Sequence, residues 1–203
     1  MDEPSLCTYC NASATTREHV PPKLFWPKPR PDGLITVPAC QACNASFQQD
    51  DDYARMWIVS SVGLERHAEG RKSIESVFRN FRRANAAGLK ASFVKTFLGA
   101  QQGPRETGHP LVVDIERHRV SRVIARSAIG LHRFRYGMRV VPEFGAHAVP
   151  THDLESIADP NETESLCLSS LRQLAERAPF EEIGNSCVQV KCGRSRDEPR
   201  LSV

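Results

Sequence analysis

Four of the seven cysteines stand as two Cys-x-x-Cys pairs, Cys7 with Cys10 and Cys40 with Cys43, and 29 residues separate the pairs. In a reducing compartment such pairs point to metal rather than to disulfides. Each pair turns tightly enough to present two thiolates to one soft ion, and four thiolates close a tetrahedral shell, so the spacing predicts a structural zinc. The competing reading is four unligated thiols; a redox role is disfavoured because neither pair sits in a thioredoxin-like unit. A zinc held this way would pin together the two ends of the intervening loop. Cys167, Cys187 and Cys192 have no such spacing and read as buried small hydrophobes or bystanders.

Inside the loop stands Thr16-Arg17-Glu18-His19-Val20-Pro21-Pro22-Lys23, and its far end runs Leu34-Ile35-Thr36-Val37-Pro38-Ala39-Cys40-Gln41-Ala42-Cys43-Asn44. This stretch resembles the HNH endonucleases, the ββα-metal nucleases, in their zinc-stabilised branch. There an acidic-His-hydrophobic-x-Pro segment follows one Cys-x-x-Cys, and a Pro-x-Cys-x-x-Cys-Asn segment closes the motif. The likeness covers residues 7–58, about a quarter of the chain. It implies that His19 is the general base, Glu18 the acidic metal ligand, and Asn44, at the start of a helix, the last motif residue, bound to the same ion.

Those residue types suit phosphodiester hydrolysis, which needs a base for water and a divalent cation to neutralise the phosphorane and the leaving oxygen. An unperturbed imidazole titrates near ~6.5, which lets His19 act as a base at neutral pH. Glu18 and Asn44 offer hard oxygens for a catalytic Mg2+ or Mn2+. Lys23 is a candidate phosphate contact by charge and proximity. On an ideal strand Glu18 and His19 would face opposite sides, so a bulge or a strand end is needed for both to serve one site. Two positions depart from the family pattern. Its middle Asn, which braces the loop carrying the His, would fall nine residues before Asn44, where Ile35 stands, and Asp32 is a substitute only after a register shift. No third protein ligand is evident; Gln48 and Asp51 are candidates, with water the default. A lone Glu-His pair is ordinarily a solvated pair or a satisfied core histidine, but the framing cysteines change that reading. His67, His109, His118, His132, His147 and His152 have no ligand-like spacing.

Six prolines between positions 21 and 38 forbid a long helix there, so strands near residues 17–20 and 34–37 should flank a Pro-rich loop. Phe47, Ala54, Trp57, Ile58 and Val62 recur at helical spacing and predict a helix from near 42 to near 62. Further helices are expected over 72–86 and 91–98, a strand at LVVDI, a helix over 117–134, a strand at MRVVPEF, a helix at SLCLSSLRQLAE and a last strand at CVQVKC. On the 117–134 helix Arg119, Arg122, Arg126 and Arg133 share one face. The expected architecture is α+β: a zinc-stapled ββα-metal module over residues 1–62, then residues 63–203 as a mainly helical basic region to about 139 and a small, mixed α/β, acidic C-terminal part.

At 203 residues the chain is long enough for one domain with an appendage, and 40% hydrophobic with 25% charged residues is an ordinary globular composition. No run reaches the roughly 18 uncharged residues of a membrane span. The start, MDEPSLC, resembles neither a secretory signal nor a transit peptide, so a cytoplasmic protein with no membrane partner is expected. The net charge of +3 conceals segregation: residues 1–52 balance to −3, 53–139 to +11 and 140–203 to −5. Such asymmetry suits a polyanion-binding surface, although a solvated helical face gives the same count. Arg119, Arg122 and Arg126 are the phosphate contacts this pattern nominates, and Asp50-Asp51-Asp52 reads as a solvated acidic run. The resulting expectation is a DNA endonuclease with a one-metal mechanism, paired as a homodimer if it makes double-strand breaks. Its rivals are a non-catalytic zinc-stapled module that binds DNA or protein with a decayed site, and an RNA-cutting or toxin-like nuclease.

Overall fold

The computed structural model describes residues 5–59, 64–82, 115–140, 176–184 and 188–191, with isolated positions between them. Within these the chain is a mixed α/β protein of three helices and two two-stranded antiparallel sheets. The strands are β1 (Thr16–His19), β2 (Thr36–Ala39), β3 (Phe180–Ile183) and β4 (Val188–Lys191). The helices are α1 (Gln41–Val59), α2 (Ala68–Phe81) and α3 (Arg117–Tyr136).

β1 and β2 pair with Glu18 opposite Val37 and His19 opposite Thr36. The pairing continues past both ends, through Thr15 N–H to the Ala39 carbonyl (3.0 Å) and Val20 N–H to the Ile35 carbonyl (2.9 Å). Alternation follows from the pleat: Val37, Ala39 and Glu18 are buried on the inner face, while Arg17 is exposed on the other. The Pro-rich stretch between the strands contains only one short 3-10 turn, Lys23–Phe25, as its prolines require. β2 runs straight into α1, and the Cys40 carbonyl accepts the Asn44 N–H at 3.1 Å.

α3 lies across α1 and reaches β2. Its start is fixed by the Tyr53 hydroxyl, which accepts the Glu116 backbone N–H at 2.8 Å. Close approach to the hairpin needs a glycine at position 130, because a Cβ there would come within 2.5 Å of Val20 Cγ2. The C-terminal hairpin β3–β4 closes over the Pro-rich loop. Buried Trp26 donates its indole N–H to the Gly184 carbonyl at 3.1 Å, and Arg135 of α3 pairs with Glu181.

Several expectations shift. α2 begins four residues before its first expected position and ends at Phe81. β3 departs furthest from the sequence pattern: FEEI carries two glutamates, and its apolar Ile183 is the only buried side chain of the strand. Met138–Val140, the described part of MRVVPEF, is not strand. The 91–98 helix, LVVDI and SLCLSSLRQLAE lie almost wholly outside the described residues, as do Cys167, Cys187 and Cys192. No helix among the described residues is long and apolar enough to cross a membrane.

Candidate functional site

Residues 5–14 form a tight turn closed by the Leu6–Ser13 bridge and by the Cys7 N–H bonded to the Ala12 carbonyl (2.9 Å). Thr8 N–H then bonds the Pro38 carbonyl at 2.9 Å and lays this turn against β2. The second pair sits where β2 enters α1. All four Sγ atoms come within 4.8 Å of one another, and Cys10 Sγ and Cys40 Sγ are 3.7 Å apart. A tetrahedron with Zn–S bonds of about 2.3 Å separates its sulfurs by about 3.8 Å, so the group could hold a structural metal such as zinc. Two sulfurs already accept backbone N–H groups as thiolates do: Cys7 from Tyr9 and Cys40 from Cys43, each at 3.4 Å. The Cys43 N–H is the main reason the Cys40 thiol is held down to about 7. Arg139, beyond α3, ties the first turn to the helix end by donating to the Cys10 carbonyl and to Asn11 Oδ1.

Glu18 and His19 occupy consecutive ladder positions with no bulge between them. Their side chains therefore leave opposite faces of β1, and His19 is the last residue of the strand. Glu18 is buried at 8% exposure, with its carboxylate 3.8 Å from the Arg126 guanidinium; the same Arg126 nitrogen bonds Asp51. Burial pushes the carboxyl of Glu18 up and that of Asp51 up to about 6, against the pull of Arg126. Two buried carboxylates facing one guanidinium leave an excess of negative charge. Asn44 approaches from α1: its Nδ2 donates to Thr16 Oγ1 (3.2 Å) and to the Arg17 carbonyl (3.4 Å), and its Oδ1 accepts no hydrogen bond among the described residues. Asp51 is thus the candidate third ligand that the fold brings to Glu18, whereas Gln48 is exposed. Where the family's middle Asn would stand, Ile35 holds the chain beside His19 through its backbone carbonyl instead.

Burial, and then the charges of Lys23, Arg30 and Arg17, lower the pKa of His19. Lys23 is exposed at the head of the 3-10 turn.

Three arginines of the α3 stripe meet acids of α1 and β1, although Arg122 stays exposed, while Arg133 donates to the Gly137 carbonyl at its own helix end. Arg119 Nε and Arg122 Nε each bond an Asp50 oxygen at 2.8 Å, and Arg119 also donates to the Gln49 carbonyl. Arg126 is 6% exposed and stacks 4.1 Å over the Phe47 ring, which leaves it no face for a phosphate. The acidic run is correspondingly not a solvated one: Asp50 and Asp51 are the partners of α3. Burial raises Asp50, but the hydrogen bonds from Arg122 and Arg119 outweigh it and hold the carboxyl below its usual range. The signal available in the sequence was complementarity, adjacent acids on one helix against arginines spaced three and four apart on another. No family model, no curated protein and no solved structure matches the chain.

Proposed function

We propose that the chain is a metal-dependent endonuclease that hydrolyses phosphodiester bonds of DNA by a one-metal mechanism. The observation that supports this reading is the pair of buried carboxylates, Glu18 and Asp51, on the two sides of Arg126, with Asn44 bonded to Thr16 and Arg17 of β1 and His19 at the end of the same strand, next to the four-cysteine group. The donor set is chemically suited to a hard cation, being carboxylates and an amide oxygen. Mg2+ or Mn2+ held by Glu18 and Asn44, with Asp51, would neutralise charge on the phosphate and the leaving oxygen.

The chain's own residues supply the rest. The His19 imidazole, its protonation disfavoured by burial and three neighbouring cations, takes a proton from water at a ring nitrogen. A phosphate served by both faces of β1 must lie at the strand's end, within reach of Lys23. Zinc on the four cysteines would fix the turn of residues 5–14 against the start of α1, the helix from which Asn44 reaches Thr16 and Arg17 of β1.

The test is nicking of supercoiled plasmid by the full chain with Mg2+ or Mn2+, without divalent ion, and with RNA in place of DNA. Cleavage that needs the ion, and that falls about 100-fold or more in His19→Ala, supports the reading. No ion-dependent cleavage of DNA removes it; cleavage confined to RNA replaces it by an RNA nuclease. A second reading, a non-catalytic zinc-stapled module that binds DNA or protein, is favoured by Arg126, whose guanidinium already provides a cation to the Glu18 and Asp51 carboxylates.

A further inference from the structure

The cations on the outer face of the first hairpin and on its connecting loop make no ion pair with a carboxylate among the described residues, although the charge of Lys23 acts on Glu18. Arg17 and His19 leave β1 on the face away from Glu18. The Arg17 guanidinium is fixed there by Thr36, with Nε on Oγ1 at 2.8 Å and Nη2 on the carbonyl at 3.1 Å. Lys23 follows four residues after His19, and Arg30 folds back onto it, donating Nε to the Lys23 carbonyl at 3.1 Å. Arg17, Lys23 and Arg30 are all exposed, and none has a carboxylate partner among the described residues.

Arg30 also lies close enough to act on Arg55 of α1. Arg55 is 8% exposed, its Nε has no hydrogen-bond partner among the described residues, and Asp52 is the one acid among them that acts on it. Gathering like charges, one of them buried with an unmade hydrogen bond, is unfavourable unless an anion completes the set. Arg119, Arg122 and Arg126 of the α3 stripe present the opposite case, because Asp50, Asp51 and Glu18 already occupy their guanidiniums.

We propose that Arg17, Lys23 and Arg30 form an oxyanion site for the backbone phosphates of a nucleic acid, so that the strand crosses the outer face of the hairpin and the Pro-rich loop rather than α3. The inference rests on the nuclease reading for its substrate, and it places a phosphate next to His19. Phosphate contacts of this kind carry little sequence information, so binding here is governed by charge and salt.

Fluorescence anisotropy with the full, zinc-loaded chain and a labelled 20-base-pair DNA duplex, in buffer without Mg2+ or Mn2+ and across ~50–200 mM salt, tests this. A duplex RNA of the same length distinguishes the polymers. The double substitution Lys23→Ala with Arg30→Ala should weaken binding about 10-fold or more and reduce the salt slope by about two, one for each phosphate no longer neutralised. Both side chains are exposed, so an unchanged thermal melt is expected, and Arg17→Gln gives an independent measurement. Arg122→Ala, on the stripe, should stay within about twofold of wild type. Wild-type affinity in the double variant overturns the proposal, as does an equal loss in Arg122→Ala or no binding of either duplex by wild type. Binding without cleavage leaves this site standing and removes the nuclease reading; cleavage with unchanged KM in the double variant does the reverse.

Discussion

A single guanidinium decides how the inner side of β1 is built. Arg126 is buried between Glu18 and Asp51 and stacked on Phe47, so it is simultaneously a packing element and the only cation bonded to those two carboxylates among the described residues. Removing one partner of a buried ionic group leaves uncompensated charge. Arg126→Met should therefore cost about 3–5 kcal/mol in urea unfolding, because both carboxylates would then face each other without a cation. Asp51→Asn should cost far less, since Glu18 keeps the guanidinium and the amide can still accept a hydrogen bond. Equal losses in the two variants would mean that the pair with Asp51 accounts for the whole contribution of Arg126, with Glu18 and Phe47 adding nothing measurable. None of this was legible in one dimension. Arg126 shares its face with Arg119 and Arg122, and a periodic stripe looks the same whether water, phosphate or another helix covers it. The four cysteines were legible because the separation of thiols within a Cys-x-x-Cys turn is set locally, and only the meeting of the two pairs needed the fold.

At the level of elements, what could be read from the sequence tracks how strongly an element is patterned. α1 and α3 lie within three residues of their expected ends because their apolar positions repeat over several turns. β3 was invisible because two of its four residues are glutamates and its register comes from β4. The four-cysteine group gathers the turn of residues 5–14, the end of β2 and the start of α1, so a metal bound there would be a folding element. Purified protein is expected to carry one zinc per chain, and Cys40→Ser should lower both zinc content and the thermal midpoint; a metal-free protein with the wild-type midpoint contradicts this. The contact between α3 and the hairpin makes a separate demand. Gly130→Ala would drive a methyl into buried Val20, for about 1–3 kcal/mol of overpacking. Combining it with Val20→Ala should recover most of that loss in a double-mutant cycle, because the two sites touch directly. Since Val20 follows His19, Gly130→Ala should also depress plasmid nicking beyond the effect of the unfolded fraction.

Across the whole molecule, the segregated charge serves folding before it serves any partner. Part of the +11 of residues 53–139 is neutralised by the acids of the −3 segment, because α3 carries Arg119, Arg122 and Arg126 onto Asp50, Asp51 and Glu18. Net balances along a chain cannot reveal which charges will meet, so the balance points to α3 for phosphate contacts while Arg17, Lys23 and Arg30, exposed and without an ion pair among the described residues, lie on the hairpin and its loop. That loop is held from its far side by the C-terminal hairpin through Trp26 and Gly184, a contact 158 residues apart in the chain. Gly184 has φ +63, and a Cβ there would fall 2.1 Å from Trp26 Nε1, so Gly184→Ala is disfavoured twice, by backbone conformation and by overlap. The expected cost is about 2–4 kcal/mol, with the hairpin displaced from the indole. In a Trp57→Phe background, where Trp26 is the remaining tryptophan, the substitution should shift emission to the red. Because Trp26 lies between Lys23 and Arg30, freeing it should loosen the placement of both cations. DNA affinity should then fall further than the same loss of stability produces when it is introduced at α2, for example by Val77→Ala, which is buried far from the loop in sequence. A red shift with unchanged DNA affinity would detach the C-terminal hairpin from binding and leave it a purely structural cover.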